Sequence, residues 1–86
     1  MQNETGQAIN RRSKDAIDYL IEIGKIDKFY IFCDEFGFNR RNLTRLFSEP
    51  TREFPLHLLT ILVEEYGVSP DFLLLGIGPI LRPRFD

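Results

Sequence analysis

Three arginines lie close together in a stretch of the chain that contains no acidic residue. Arg40, Arg41 and Arg45 fall between Phe36 and Phe47. At about 100° per residue they come within about 140° of one another, so on a helix they share one face. The guanidinium group is a planar fork that pairs with both major-groove acceptors of guanine at once. Such a face either binds DNA or merely solvates a helix, and its single sign of charge favours DNA, because solvating faces normally mix both signs.

The pattern around these arginines predicts two short helices separated by a glycine turn. The first covers residues 28–36, with Asp27 available as its N-cap. Gly37 ends it, because glycine adopts the left-handed conformation at little cost. The second covers residues 40–48 and is capped by Asn39. Three apolar side chains of the second helix lie opposite its arginines: Leu43, Leu46 and Phe47.

Three further helices are predicted from apolar periodicity and from helix start and stop signals. They cover residues 8–24, with a start anywhere between Ala8 and Lys14, residues 56–66 and residues 70–75. Ser69-Pro70 is a strong start signal for the last of them, an N-cap followed by proline. The expected buried face of the fourth helix comprises Leu56, Leu59, Leu62, Val63 and Tyr66. With no strand pattern, the chain is predicted to be all-α, a compact five-helix bundle.

Two helices joined by a short turn with a glycine are typical of the helix-turn-helix motif. In that motif the second helix enters the major groove with its N-terminal residues against the base edges. The candidate base-reading residues are therefore Asn39, Arg40, Arg41, Thr44 and Arg45. Asn42, on the same helix, is a candidate for a supporting contact to phosphate.

Two segments resemble the phage-repressor-like (Xre-type) helix-turn-helix domains. They are Phe32-Cys33-Asp34-Glu35-Phe36-Gly37-Phe38-Asn39 and Tyr66-Gly67-Val68-Ser69-Pro70-Asp71-Phe72-Leu73-Leu74-Leu75-Gly76. The following Gly76-Ile77-Gly78-Pro79 is similar to the end of that domain. The resemblance covers roughly residues 17–80 and implies a DNA-binding transcriptional regulator. The chain departs from the family at Phe29, where a glutamine is frequent, and at Ser48-Glu49-Pro50, where a glycine is common.

The resemblance also assigns roles to single residues. It matches Asn39 to the cap of the helix over residues 40–48, Arg40 and Arg41 to the first base-reading pair of that helix, and Arg45 to the base-reading residue one turn on. Cys33 matches the small residue at the crossing of the two helices. Loop residue Arg52 is implied as a phosphate contact, and two arginines near helix 1 are further candidates for that role: Arg11 and Arg12.

Length and composition limit the function classes. Eighty-six residues are enough for one domain, with residues 1–7 expected to be frayed and residues 77–86 expected to form a C-terminal tail. The start of the chain lacks the apolar run of a signal peptide, and no segment is apolar enough for a membrane span, so a cytoplasmic protein is expected. The single Cys33 and the single His57 offer neither a disulfide nor a metal-ligand set. No catalytic motif is present, so neither an enzyme nor a cofactor nor a small-molecule ligand is expected.

The C-terminal part is richer in apolar residues than a short helix can bury. The predicted homodimer interface comprises Phe72, Leu73, Leu74, Ile77, Ile80 and Leu81, with Leu75 beside them and Leu58 and Ile61 as additions from helix 4. The alternative is that the tail folds back over the bundle. The function expected is a sequence-specific regulator of double-stranded DNA, in the manner of a phage or mobile-element repressor. The other candidate is a helical protein-interaction module that has kept the fold without DNA binding, which the net charge of −2 favours.

Overall fold

The computed structural model describes residues 2–48 and 56–83. Within them the chain forms five helices: α1 (Gln2–Glu22), α2 (Phe29–Phe36), α3 (Arg40–Ser48), α4 (Leu56–Tyr66) and α5 (Pro70–Leu75). Apart from one antiparallel bridge between Val68 and Leu81, these residues contain no β-structure. The predicted all-α class is confirmed.

α1 is the longest helix, and all three of α3, α4 and α5 pack against it. Its buried face follows the helical period and comprises Ile9, Asn10, Ser13, Ala16, Ile17 and Leu20. The helix begins at Gln2, so residues 2–7, which were expected to be frayed, are helical. The polar sequence of these residues does not indicate this earlier start.

The buried face of α4 overlaps the predicted one, with Val63 and Tyr66 half-buried against the core, but it is shifted around the helix. Leu59 and Leu62 are buried as expected, but Leu58 and Ile61 are buried with them, whereas Leu56 is 63% exposed. Apolar residues cover more than half of the circumference of this helix, so its periodicity does not fix which of them are buried. The packing of α1 against α4 selects it instead. Leu58 and Ile61 are therefore core residues and not part of an exposed patch.

α5 begins and ends as its sequence predicts. The Ser69 hydroxyl oxygen accepts a hydrogen bond from the backbone N–H of Phe72 at 3.3 Å, and Gly76 ends the helix with a φ of 73°. The tail then returns to the start of the helix. The Ser69 N–H donates to the Ile80 carbonyl at 2.7 Å and the Arg82 N–H donates to the Gly67 carbonyl at 2.8 Å. As far as residue 83, the tail folds back onto the bundle, which was the alternative to a tail exposed for dimer formation.

Cys33 is fully buried, as predicted. Its burial raises the pKa of the thiol, and the negative charge of Asp34 raises it further. Because the thiolate is the reactive form, the folded protein should react with a thiol reagent far more slowly than free cysteine at the same pH. Denaturant should restore the reaction rate of the free amino acid. Rapid labelling without denaturant would contradict this assignment of Cys33.

Candidate nucleic-acid interface

The arginine-rich segment forms α3, and its two faces differ sharply in exposure. Leu43 and Leu46 are buried, at 5% and 8% exposure. The polar residues of the candidate interface are all exposed: Asn39, Arg40, Arg41, Asn42, Thr44 and Arg45. Burial of the leucine side against the bundle therefore turns the arginine side outward.

Asn39 caps α3, as the sequence predicts. Its side-chain oxygen accepts a hydrogen bond from the backbone N–H of Asn42 at 2.9 Å. This bond satisfies one of the N–H groups that the first turn of a helix leaves without a partner. The side-chain oxygen of Asn39 is thus engaged in a hydrogen bond within the protein.

The turn between α2 and α3 comprises only residues 37–39. Gly37 has a φ of 79°, in the left-handed region, and the N–H of Phe38 donates to the Cys33 carbonyl at 2.8 Å. The Phe38 ring stacks on Phe32, with centroids 5.9 Å apart, and packs against His57 at 5.3 Å. Sequence reasoning missed Phe38 as an anchor of the turn. It also missed His57 as the ring that packs against Phe38.

The start of α2 differs from the prediction. The residue at the N-cap position is Lys28, in extended conformation, and no side chain caps the helix there. Asp27 is therefore not the N-cap. Lysine has no acceptor atom in its side chain, so it cannot replace an aspartate in this role.

Replacement of Gly37 by valine should lower the free energy of unfolding by about 1–2 kcal/mol, because a side chain in left-handed backbone approaches the following carbonyl. Beyond the adjacent residues of the chain, a Cβ atom at Gly37 would meet no atom within 4 Å, so the loss would come from the local backbone alone. Thermal or urea unfolding measures it. Gly37→Asn is the matched control and should lose less, because asparagine tolerates this conformation better. If Gly37→Val unfolded at the same midpoint as the parent, the turn would be wrongly assigned.

α2 lies along one edge of α3. Phe29 of α2 packs against Phe47, with ring centroids 6.4 Å apart. One residue further along α2, the Tyr30 ring lies 5.7 Å from the guanidinium carbon of Arg40, within the range of a cation–π contact. Arg40 and Phe47 therefore mark the border of α3 with α2. The contact of Tyr30 carries no sequence signal, because it depends on the angle at which the two helices meet.

Four exposed polar residues of α3, together with its cap residue, line an open depression on the surface. Its lining is formed by Asn39, Arg40, Arg41, Asn42 and Arg45. None of these residues is acidic, so the depression presents three guanidinium groups and two amides. Arg45 also interacts with another group of the protein. Such a surface attracts phosphate and offers hydrogen-bond donors to base edges.

The candidate phosphate contacts do not all join this surface. Arg11 is exposed on α1, but the half-buried Arg12 donates to the Leu73 carbonyl at 3.3 Å. The Arg12 guanidinium also occupies the space beside Gly76, where a Cβ atom would come within 2.9 Å of it. Arg12 thus ties α1 to the end of α5, a role that sequence reasoning did not assign. Arg52 lies outside the described residues.

The residues predicted for a dimer interface divide into buried and exposed groups. Leu73 is buried in the core, so it cannot belong to an exposed interface. Three others are half-buried and pack against the core: Phe72, Ile80 and Leu81. Leu74 and Ile77 are exposed, at 46% and 60%, as is the neighbouring Leu75 at 62%.

None of the helices in the described part of the chain has the length and apolar character needed to cross a lipid bilayer. Among the same residues, no three histidine, cysteine, aspartate or glutamate side chains come together as a metal site would require.

Comparisons with known proteins give no significant match to a family model, a curated protein or a solved structure. The function of this chain must therefore be inferred from its own residues and their arrangement.

Proposed function

We propose that this protein is a sequence-specific DNA-binding transcriptional regulator of the phage-repressor-like helix-turn-helix type. α2, the turn at residues 37–39 and α3 form its DNA-binding unit, and α3 enters the major groove. The observation that carries this proposal is the depression on the exposed face of α3, which is lined by three arginines and two asparagines and by no acidic residue. The short turn supports it, because a recognition helix must stand at a fixed angle to its predecessor.

The distribution of charge supports this function in spite of the net charge of −2. Affinity for DNA depends on the cationic side chains that reach the phosphates. Acidic residues on other faces of the protein repel DNA only weakly, because salt screens charges that lie far from the interface. Exposed acidic residues lie, for example, on α1 and on α4: Asp15, Asp18 and Glu64.

A homodimer is part of this proposal. Leu74, Leu75 and Ile77 form an exposed apolar surface at the end of α5, and two-fold dimers suit operators with two-fold symmetry. Sedimentation at micromolar concentration should detect the dimer. If the protein bound DNA but sedimented as a monomer at all concentrations, the homodimer would be contradicted and the proposed DNA binding would stand.

Titration of the protein with random-sequence duplex DNA at several salt concentrations tests DNA binding. Because binding releases one counterion for each phosphate contact, the logarithm of the affinity should fall linearly with that of the salt concentration, with a slope of about −0.9 per contact. Replacement of all three α3 arginines by glutamine should flatten this slope, since their charge is lost. Absence of binding even at low salt would contradict the proposal.

The second candidate is a protein-interaction module. Leu56, Leu74, Leu75 and Ile77 favour it, because each is exposed by nearly half or more and exposed apolar surface often marks a protein interface. Phe29, where related domains frequently have a glutamine, also favours it. If the duplex titration fails, this candidate takes the place of the first.

A further inference from the structure

The three arginines of α3 point in different directions relative to the core. At about 100° per residue, Arg41 lies about 170° from the mean direction of the buried Leu43 and Leu46. By the same measure Arg45 lies about 130° and Arg40 only about 90° from that direction. Arg41 therefore points straight outward, whereas Arg40 lies at the side of the helix.

Arg40 is also held by the protein. Its guanidinium carbon lies 5.7 Å from the Tyr30 ring centroid, and Phe47, on the same edge of α3, packs against Phe29. Both contacts are to α2, which therefore flanks this edge. For Arg40 to reach the floor of a groove in front of α3, its side chain would have to leave the aromatic ring.

Asn39 has its side-chain oxygen in the helix cap, at 2.9 Å from the Asn42 nitrogen. Asparagine recognises adenine with its oxygen and its NH₂ group together, as acceptor and donor. The cap takes one of the two lone pairs of the Asn39 oxygen and fixes the orientation of the side chain. Asn39 could therefore contact adenine only from the orientation that the cap sets.

We propose that Arg41 is the principal specificity-determining residue of α3 and that its ligand is a guanine in the major groove. This inference rests on the proposed DNA binding and names the base that the site takes. The fork of Arg41 pairs with the N7 and O6 atoms of guanine, the two acceptors that its geometry matches. Arg40 contributes charge from the edge of the helix and does not select the base.

The test begins with selection of preferred duplexes from a random pool by the full chain. Each guanine of the selected site is then replaced in turn by 7-deazaguanine, which lacks the N7 acceptor but keeps O6 and normal pairing with cytosine. At one guanine in each half-site, this replacement should weaken binding by the parent roughly 2-fold to 12-fold, since one of the two bonds of a bidentate pair is lost. The Arg41→Ala variant should bind the guanine and the 7-deazaguanine duplexes with affinities equal within about 1.5-fold, because it lacks the side chain that contacts N7.

Arg40→Ala and Arg45→Ala are the matched controls, since each also removes one exposed arginine of α3. In both, the base replacement should keep its full effect. The inference is overturned if the selected sites contain no guanine, if the replacement weakens the parent and Arg41→Ala equally, or if it loses its effect in a control variant instead. In these cases salt-dependent duplex binding would still support the proposed function. Absence of duplex binding would overturn both.

Discussion

Replacement of Phe32 by alanine is expected to lower the free energy of unfolding by about 3–5 kcal/mol. Phe32 is 1% exposed and is among the largest fully buried side chains of the described residues. Its ring contacts Phe36, Phe38 and Tyr66, with centroids 5.2, 5.9 and 6.0 Å away. Alanine would leave a cavity between α2, the turn and α4, and neighbouring rings could fill it only in part.

Urea unfolding followed by circular dichroism measures this loss. A domain of this size has a total stability of roughly 4–13 kcal/mol, so the expected loss is about a quarter of that stability or more. Phe32→Leu keeps most of the volume and should remain folded with a smaller loss. Phe36→Ala is the matched control, since Phe36 is on the same helix but only half-buried, and it should lose less than Phe32→Ala. Equal losses at the two positions would show that Phe32 is not the centre of this cluster.

Replacement of Arg41 by alanine is expected to weaken binding to the selected operator by about 1–3 kcal/mol, or roughly 5-fold to 150-fold. The side chain points away from the core, so the fold should be unaffected and the melting temperature should stay close to that of the parent. Binding to scrambled duplex DNA should weaken much less, because there Arg41 offers only a charge. Titrations of both duplexes at one salt concentration measure the difference.

Arg11→Ala serves as the control for charge alone. Arg11 is exposed on α1, and its loss should weaken binding to the operator and to scrambled DNA by the same factor. If Arg41→Ala also weakened both duplexes by one common factor, Arg41 would be a phosphate contact and not a base-reading residue. Unchanged operator binding would contradict any role of Arg41 in recognition.

The elements that the sequence predicts well are those whose signals are local. α3 and α5 begin at the predicted residues, because Asn39 and Ser69 accept backbone N–H groups within the first turn of each helix. Gly37 adopts the predicted left-handed conformation for the same reason, since its requirement arises in a single residue. The exposure of the α3 arginines follows from the helical period once Leu43 and Leu46 are buried.

Other features depended on contacts that are distant in sequence. The limits of the buried face of α4 could not be predicted, because apolar residues cover more than half of its circumference and the neighbouring helices decide which of them are buried. Arg12 and Leu73 are 61 positions apart in the sequence, and no local pattern indicates their hydrogen bond. The return of the tail, in which the Ser69 N–H donates a hydrogen bond to the Ile80 carbonyl, depends likewise on the folded bundle.

The candidate interface shows both kinds of information. Sequence alone determined which residues of α3 form a cationic face, because residue type and helical period are sufficient for that. Only the tertiary structure decided how those residues differ from one another. Arg40 rests on Tyr30 because α2 packs beside it, whereas Arg41 lies opposite the buried leucines and faces outward. Helix packing sets these directions, and packing depends on the whole set of contacts in the core rather than on any one segment.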